Sequence, residues 1–153
     1  MVAENRNKEQ VYEWLAMVPD PEIPVLSILD LGIVRDVDVD EGVTVTLTPT
    51  YSGCPATEAI EASVLLALKN HGVDEIVIRR VLSPPWTTDW ITEEGREKLL
   101  KYGIAPPSKH SEIACPQCNS LQTELVSEFG STACKASWRC TDCLEPFEYF
   151  KCL

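Results

Sequence analysis

Cys115-Pro-Gln-Cys118 and Cys140-Thr-Asp-Cys143 stand 21 residues apart near the end of a chain of 153 residues. Each pair can aim two thiolates at a common point. Two such pairs make a tetrahedral set of soft donors, which suits Zn²⁺, with iron as the rival. The separation is one residue beyond the usual zinc-ribbon range. No other feature constrains the fold as much, because residues 111–153 bury too little apolar surface to fold unaided and need the metal as a source of stability. A closed four-thiolate centre has no open position for substrate, so its expected role is structural. Thr123-Glu-Leu-Val-Ser, Ala136-Ser-Trp-Arg and Phe147-Glu-Tyr-Phe-Lys read as the strands of this module.

The seven cysteines are an odd number, and four sit in paired knuckles. Metal binding therefore explains them better than a disulfide framework does. Cys134 and Cys152 are left over and have three readings: buried apolar residues, a redox pair, or a second soft site. Gly130-Ser-Thr-Ala-Cys134-Lys135 has the look of an exposed thiol loop. The first residues lack the basic-then-apolar pattern of a secretory signal, and a cytoplasmic location is expected. No apolar run approaches the roughly 20 residues of a membrane span.

Upstream, the spacing of Val11, Trp14, Leu15 and Val18 predicts an amphipathic helix closed by Pro19. Asp20-Pro-Glu-Ile-Pro24 is an extended or turning connection, since each proline moves its predecessor out of helical angles. Asp20 and Glu22 on that bend read as capping, solvent-contacting acids before catalytic ones. Residues 33–39 alternate as a strand with one wetter face, Asp40-Glu-Gly42 supplies a hairpin turn, and Val43-Thr-Val-Thr-Leu-Thr48 returns. A helix from Pro55 with Ala59, Ile60, Ser63, Val64, Ala67 and Leu68 on one face ends at Asn70-His-Gly72, which makes His71 a helix-terminal residue and not a ligand. Residues 74–82 form a third strand, joined to the hairpin's sheet through that crossover helix. Trp86 and Trp90 in a proline-rich break are expected to cap the core. Thr92 begins a short helix with Leu99 and Leu100 inward. Residues 105–110, ending in His110, are read as a linker between a domain at 1–104 and the ribbon at 111–153.

Between the second strand and the long helix lies Thr48-Pro-Thr-Tyr-Ser-Gly-Cys54-Pro55. Proline suits the first helical position, which puts Cys54 at or beside the N-cap. There, unpaired N–H donors and the positive end of the helix dipole favour thiolate, the form that binds metal or attacks disulfides. The alternative is a small buried apolar cysteine.

The net charge is −11. Residues 1–110 carry 10 basic and 18 acidic side chains and residues 111–153 carry 3 and 6. Neither part offers phosphate a basic face, which disfavours nucleic acid as a partner. A cysteine hydrolase is disfavoured too, because neither of the two histidines lies in a motif that would make it the general base.

Asp20-Pro-Glu-Ile-Pro24, Ser27-Ile-Leu-Asp-Leu-Gly-Ile-Val34, the Cys54 stretch and Pro84-Pro-Trp86 together resemble the iron-sulfur cluster assembly domain family, over about residues 9–104. With the ribbon added, Phe129-Gly-Ser-Thr-Ala-Cys-Lys135 and Glu145-Pro-Phe-Glu-Tyr-Phe-Lys-Cys152 extend the likeness to the family of D proteins encoded with multicomponent phenylacetyl-CoA epoxidases. The resemblance implies an α/β (α+β) fold with helices packed on a small sheet. It also implies a reactive Cys54, with Asp20, Thr48 and Thr50 as motif positions. In function it implies an accessory role: helping the oxygenase and its iron-sulfur reductase acquire iron or a cluster, with either held transiently at Cys54. An electron-transfer or non-catalytic component of the epoxidase complex is the alternative. The sequence contains no di-iron ligand set and no dinucleotide fingerprint, in keeping with assistance and not turnover. It leaves monomer and homo-oligomer both open.

Overall fold

The computed structural model describes residues 7–50, 56–108, 112–132 and 134–151. The chain divides into two compact units, Met1–Thr92 and Glu93–Leu153.

The first unit opens with helix α1 (Lys8–Leu15), started by a reciprocal capping box in which Asn7 and Gln10 bond each other's backbone. Val11 and Leu15, one turn apart, are fully buried. β1 (Val34–Asp38) and β2 (Val43–Leu47) pair as an antiparallel hairpin, and β3 (Ile76–Arg80) joins β2 in parallel. Helix α2 (Ala56–Asn70) makes the crossover, as a helix between two parallel strands must. A bulge between Val34 and Asp36 interrupts the expected alternation. Arg35 swings out to solvent, its guanidinium 3.6 Å from the Trp90 ring centroid.

Helix α2 buries Ala56, Thr57, Ile60, Val64 and Leu68. The stripe is narrower than predicted, because Ala59 and Ser63 face solvent. The helix stops where expected. Val73 N–H bonds Leu68 C=O at 3.1 Å and Gly72 N–H bonds Lys69 C=O at 3.0 Å, while Gly72 sits at φ 80°. This is a Schellman end whose flanking Leu68 and Val73 are both buried. His71 stacks on Trp14, ring centroids 4.4 Å apart.

The break after β3 folds back onto the segment before β1. Trp86 is buried and donates its indole N–H to Leu31 C=O at 2.7 Å, and Thr92 N–H bonds Asp30 C=O at 2.9 Å. Gly32, at φ 71°, lies so close to the Trp90 backbone that any Cβ would collide with its carbonyl. Trp86 thus caps the core, as expected.

In the second unit, α3 (Glu93–Tyr102) buries Leu99, but Leu100, predicted inward, is 45% exposed. A four-stranded sheet follows in the order β4 (Ile104–Ala105), β7 (Pro146–Phe150), β6 (Lys135–Cys140), β5 (Thr123–Ser127). β4 runs parallel to β7 and the other pairs are antiparallel. Residues 105–108 of the expected linker therefore lie within this unit. Ala105 belongs to the ribbon core with Ile113, Cys115, Cys140, Phe147 and Tyr149. Ser108 exchanges hydrogen bonds with the Tyr149 hydroxyl, and Arg96 donates to Pro107 C=O at 2.9 Å. A polar, proline-rich string without periodicity conceals such pairing, because its partner strand lies some 40 residues on.

Candidate metal centre and the Thr48 strand end

Cys115, Cys118, Cys140 and Cys143 converge, their sulfurs all within 4.8 Å of one another. Cys115 and Cys143 are 3.7 Å apart, Cys118 and Cys140 3.6 Å. A tetrahedron of Zn–S bonds of about 2.3 Å has edges of about 3.8 Å, so the set fits the ion. The two knuckles are built alike. Cys115 N–H bonds Ser120 C=O and Cys140 N–H bonds Glu145 C=O, each bond closing the same length of chain. Each knuckle also turns on a left-handed residue just after its second cysteine, Asn119 at φ 64° and Leu144 at φ 67°.

Backbone N–H groups then point at the sulfurs. Gln117 N–H lies 3.4 Å from Cys115 Sγ and Cys143 N–H 3.4 Å from Cys140 Sγ. The Cys143 N–H is the main reason that Cys140 falls to about 7, helped by Asp142 N–H against the cost of burial. At Cys143 the Glu145 N–H works in the same direction, but burial and the three neighbouring sulfurs outweigh it and push the thiol up to about 12. Four thiols crowded together cannot ionise freely until a cation replaces their protons. Zinc held by these four residues would clamp the knuckles and, with no open position, supply no Lewis-acid catalysis. A second tie needs no metal: the Ser120 hydroxyl bonds the Asp142 carboxylate across the two knuckles, and Thr141 N–H bonds Gln122 C=O at 2.8 Å. Sequence reasoning missed this latch, for serine and aspartate in turns carry no signal of a partner 22 residues away.

The other predicted residues are not gathered in this way. Cys54 and Cys152 lie outside the described residues. Cys134, for which a buried apolar residue is one of three readings, is 5% exposed despite the loop-like run around it, its sulfur 3.0 Å from the Thr132 hydroxyl. It sits at the root of β6, where Lys151 N–H bonds its carbonyl, and the strand pairing carries it inward. Asp20 is buried, not solvent-facing. Its carboxylate accepts Glu22 N–H at 2.9 Å and Ile23 N–H at 2.8 Å, so it holds its own turn, as a capping acid should. Asp30 and Ser27 cap each other in the same manner. Thr48 directly follows β2, its N–H on Ile33 C=O at 2.9 Å. It is 1% exposed, and its hydroxyl has no hydrogen-bond partner among the described residues. Thr50 is half-buried just beyond.

Residues 8–78 match the family described as iron-sulfur cluster assembly protein, and residues 103–151 match the PaaD zinc beta ribbon domain. The chain belongs to a family that joins an iron-sulfur cluster assembly unit to a zinc ribbon. Within it, the chain is 50% identical over 152 residues to a protein of Escherichia coli strain K12 named as the D component of a 1,2-phenylacetyl-CoA epoxidase, covering 94% of this chain and 92% of that one. It is also 37% identical over 97 residues to an Fe-S protein maturation auxiliary factor of Porphyromonas gingivalis, covering 61% of this chain and 91% of that one. Among solved structures, a domain of unknown function from Bacillus anthracis superposes with a TM-score of 0.56 at 33% identity, over 60% of this chain and 89% of that chain. A conserved hypothetical protein from Thermotoga maritima gives 0.53 at 33% identity, over 61% and 94%. No helix among the described residues is long and apolar enough to cross a membrane.

Proposed function

We propose that the chain is an accessory and maturation protein of a multicomponent phenylacetyl-CoA epoxidase, assisting the oxygenase or its iron-sulfur reductase in acquiring iron or a cluster. One observation carries this. The maturation factor is matched over 91% of its length by only 61% of this chain, whereas the epoxidase relative is matched along both chains. These coverages support reading the chain as a maturation unit joined to a ribbon for the service of one oxygenase. Cys54 is the agent in this reading, a thiolate at the head of α2 that holds the metal transiently. The buried Thr48 hydroxyl just after the preceding strand, which has no hydrogen-bond partner among the described residues, supports it, since such a group is costly to keep without a use. Asp20 enters this reading only as a family motif position; its carboxylate holds its own turn.

The test is complementation of cells lacking the native gene with Cys54→Ala, followed by iron and acid-labile sulfide analysis of the purified oxygenase and reductase. Cofactor content should fall several-fold. Full content with the variant would remove Cys54 from the mechanism. A second reading, one-electron transfer through an iron-loaded ribbon, draws on the same four-sulfur geometry. Metal analysis of anaerobically purified protein decides it, because zinc has no redox chemistry.

A further inference from the structure

The turn between β5 and β6 is built more heavily than the ribbon core requires. Phe129 N–H bonds the Ser127 hydroxyl at 3.2 Å, the Lys151 ammonium bonds Glu128 C=O at 2.9 Å, and Gly130 N–H bonds Lys135 C=O at 2.7 Å. Ser131 gives both its N–H and its hydroxyl to the Glu148 carboxylate. That carboxylate faces the Lys135 ammonium at 3.8 Å, and Lys135 is only 4% exposed. A Cβ at Gly130 would meet the Glu148 carboxylate, so a larger residue there would have to displace that side chain from the clamp. A buried ammonium is expensive unless its counter-charge is fixed, so this clamp is a costly way to hold a turn.

What the clamp presents is an aromatic ring. Phe129 is 67% exposed, with the Lys151 ammonium 4.8 Å from its ring centroid. Leu125 and Val126 on the adjoining open-edge strand β5 are 49% and 63% exposed, and the Glu128 side chain beside Phe129 faces solvent. A rigid, solvent-facing aromatic with an apolar apron is the usual anchor of a protein interface, because the cost of ordering it is met before binding.

We propose that residues 128–132 form a preorganised docking tip. Phe129 enters an apolar pocket with a basic rim on a component of the epoxidase, and Glu128 meets that rim. At the tip the Lys151 ammonium offsets the Glu128 carboxylate, and it is the chain's net charge of −11 that selects a protein with cationic margins over a nucleic acid or an anionic membrane. The proposal rests on the accessory reading above.

The test is calorimetric titration of zinc-loaded full chain against the purified oxygenase and, separately, the reductase. It compares wild type, Phe129→Ala and Glu128→Lys, with zinc content and melting temperature as controls for folding. Phe129→Ala should weaken binding about thirtyfold, and Glu128→Lys should weaken it several-fold, more at low salt than at high, with both controls unchanged. Wild-type affinity in a folded Phe129→Ala overturns the docking tip and leaves the accessory reading standing. Failure of wild type to bind either component overturns both.

Discussion

Leu144 occupies φ 67° and is 71% exposed, so it carries a conformation that L residues resist and buries little in return. Left-handed backbone costs a non-glycine residue roughly 1–2 kcal/mol, part of which glycine returns through the freedom of its unfolded chain. Leu144→Gly should raise the stability of the zinc-loaded ribbon by about 0.5–1 kcal/mol, read as a higher denaturant midpoint at unchanged slope. A lower midpoint would show that the side chain contributes packing which its exposure denies. Residue types told most where their chemistry is exclusive. The four knuckle cysteines were legible because four thiolates at that spacing have almost no other employment. Asp20 was legible as a cap because a carboxylate on a proline bend has backbone donors within reach. The three readings of Cys134 could not be ranked because a Gly-Ser-Thr-Ala run looks like a loop, while its burial goes with the pairing of β6 and β7 beside it.

At the scale of elements, the two knuckles set how the ribbon responds to acid. Cys143, held protonated up to about 12, must give its proton to zinc throughout the physiological range, whereas Cys140, at about 7, surrenders one only in more acid solution. Zinc affinity therefore rises with pH, and more steeply below pH 7 than above, since one further proton is displaced there. Competition with a chromophoric chelator between about pH 5.5 and 8.5 measures the slope. A flat profile would contradict the arrangement of thiols. Periodicity found nearly every element of the first unit because α2 and the strands repeat at about 3.6 and 2 residues. It failed at the bulge that turns Arg35 outward, and at Leu100, whose neighbour Leu99 alone points inward. A bulge shifts register by one residue, and an apolar pair on a short amphipathic helix does not say which member is buried.

The chain divides into two compact units whose sources of stability differ. The first has an aliphatic core of Leu15, Leu26, Ile28, Leu31, Ile33, Val37, Leu47 and Leu68, each buried side chain worth about 1.5–3 kcal/mol. The second packs around a cluster of Ala105, Ile113, Cys115, Cys140, Phe147 and Tyr149, which includes two of the four convergent cysteines. Chelation should melt Glu93–Leu153 while leaving Met1–Thr92 folded, seen as retained protection of α2 amides and loss of protection in β6 and β7 by hydrogen exchange. Simultaneous loss in both would show one cooperative body. The parallel bond of β4 to β7 has a practical corollary for anyone dissecting the gene. A tail started at residue 111 would be missing its own outermost strand, and with it the partner of Glu148 and Tyr149. Such a fragment would offer a raw backbone edge to its neighbours in the tube, so its clumping would say nothing about the intact ribbon.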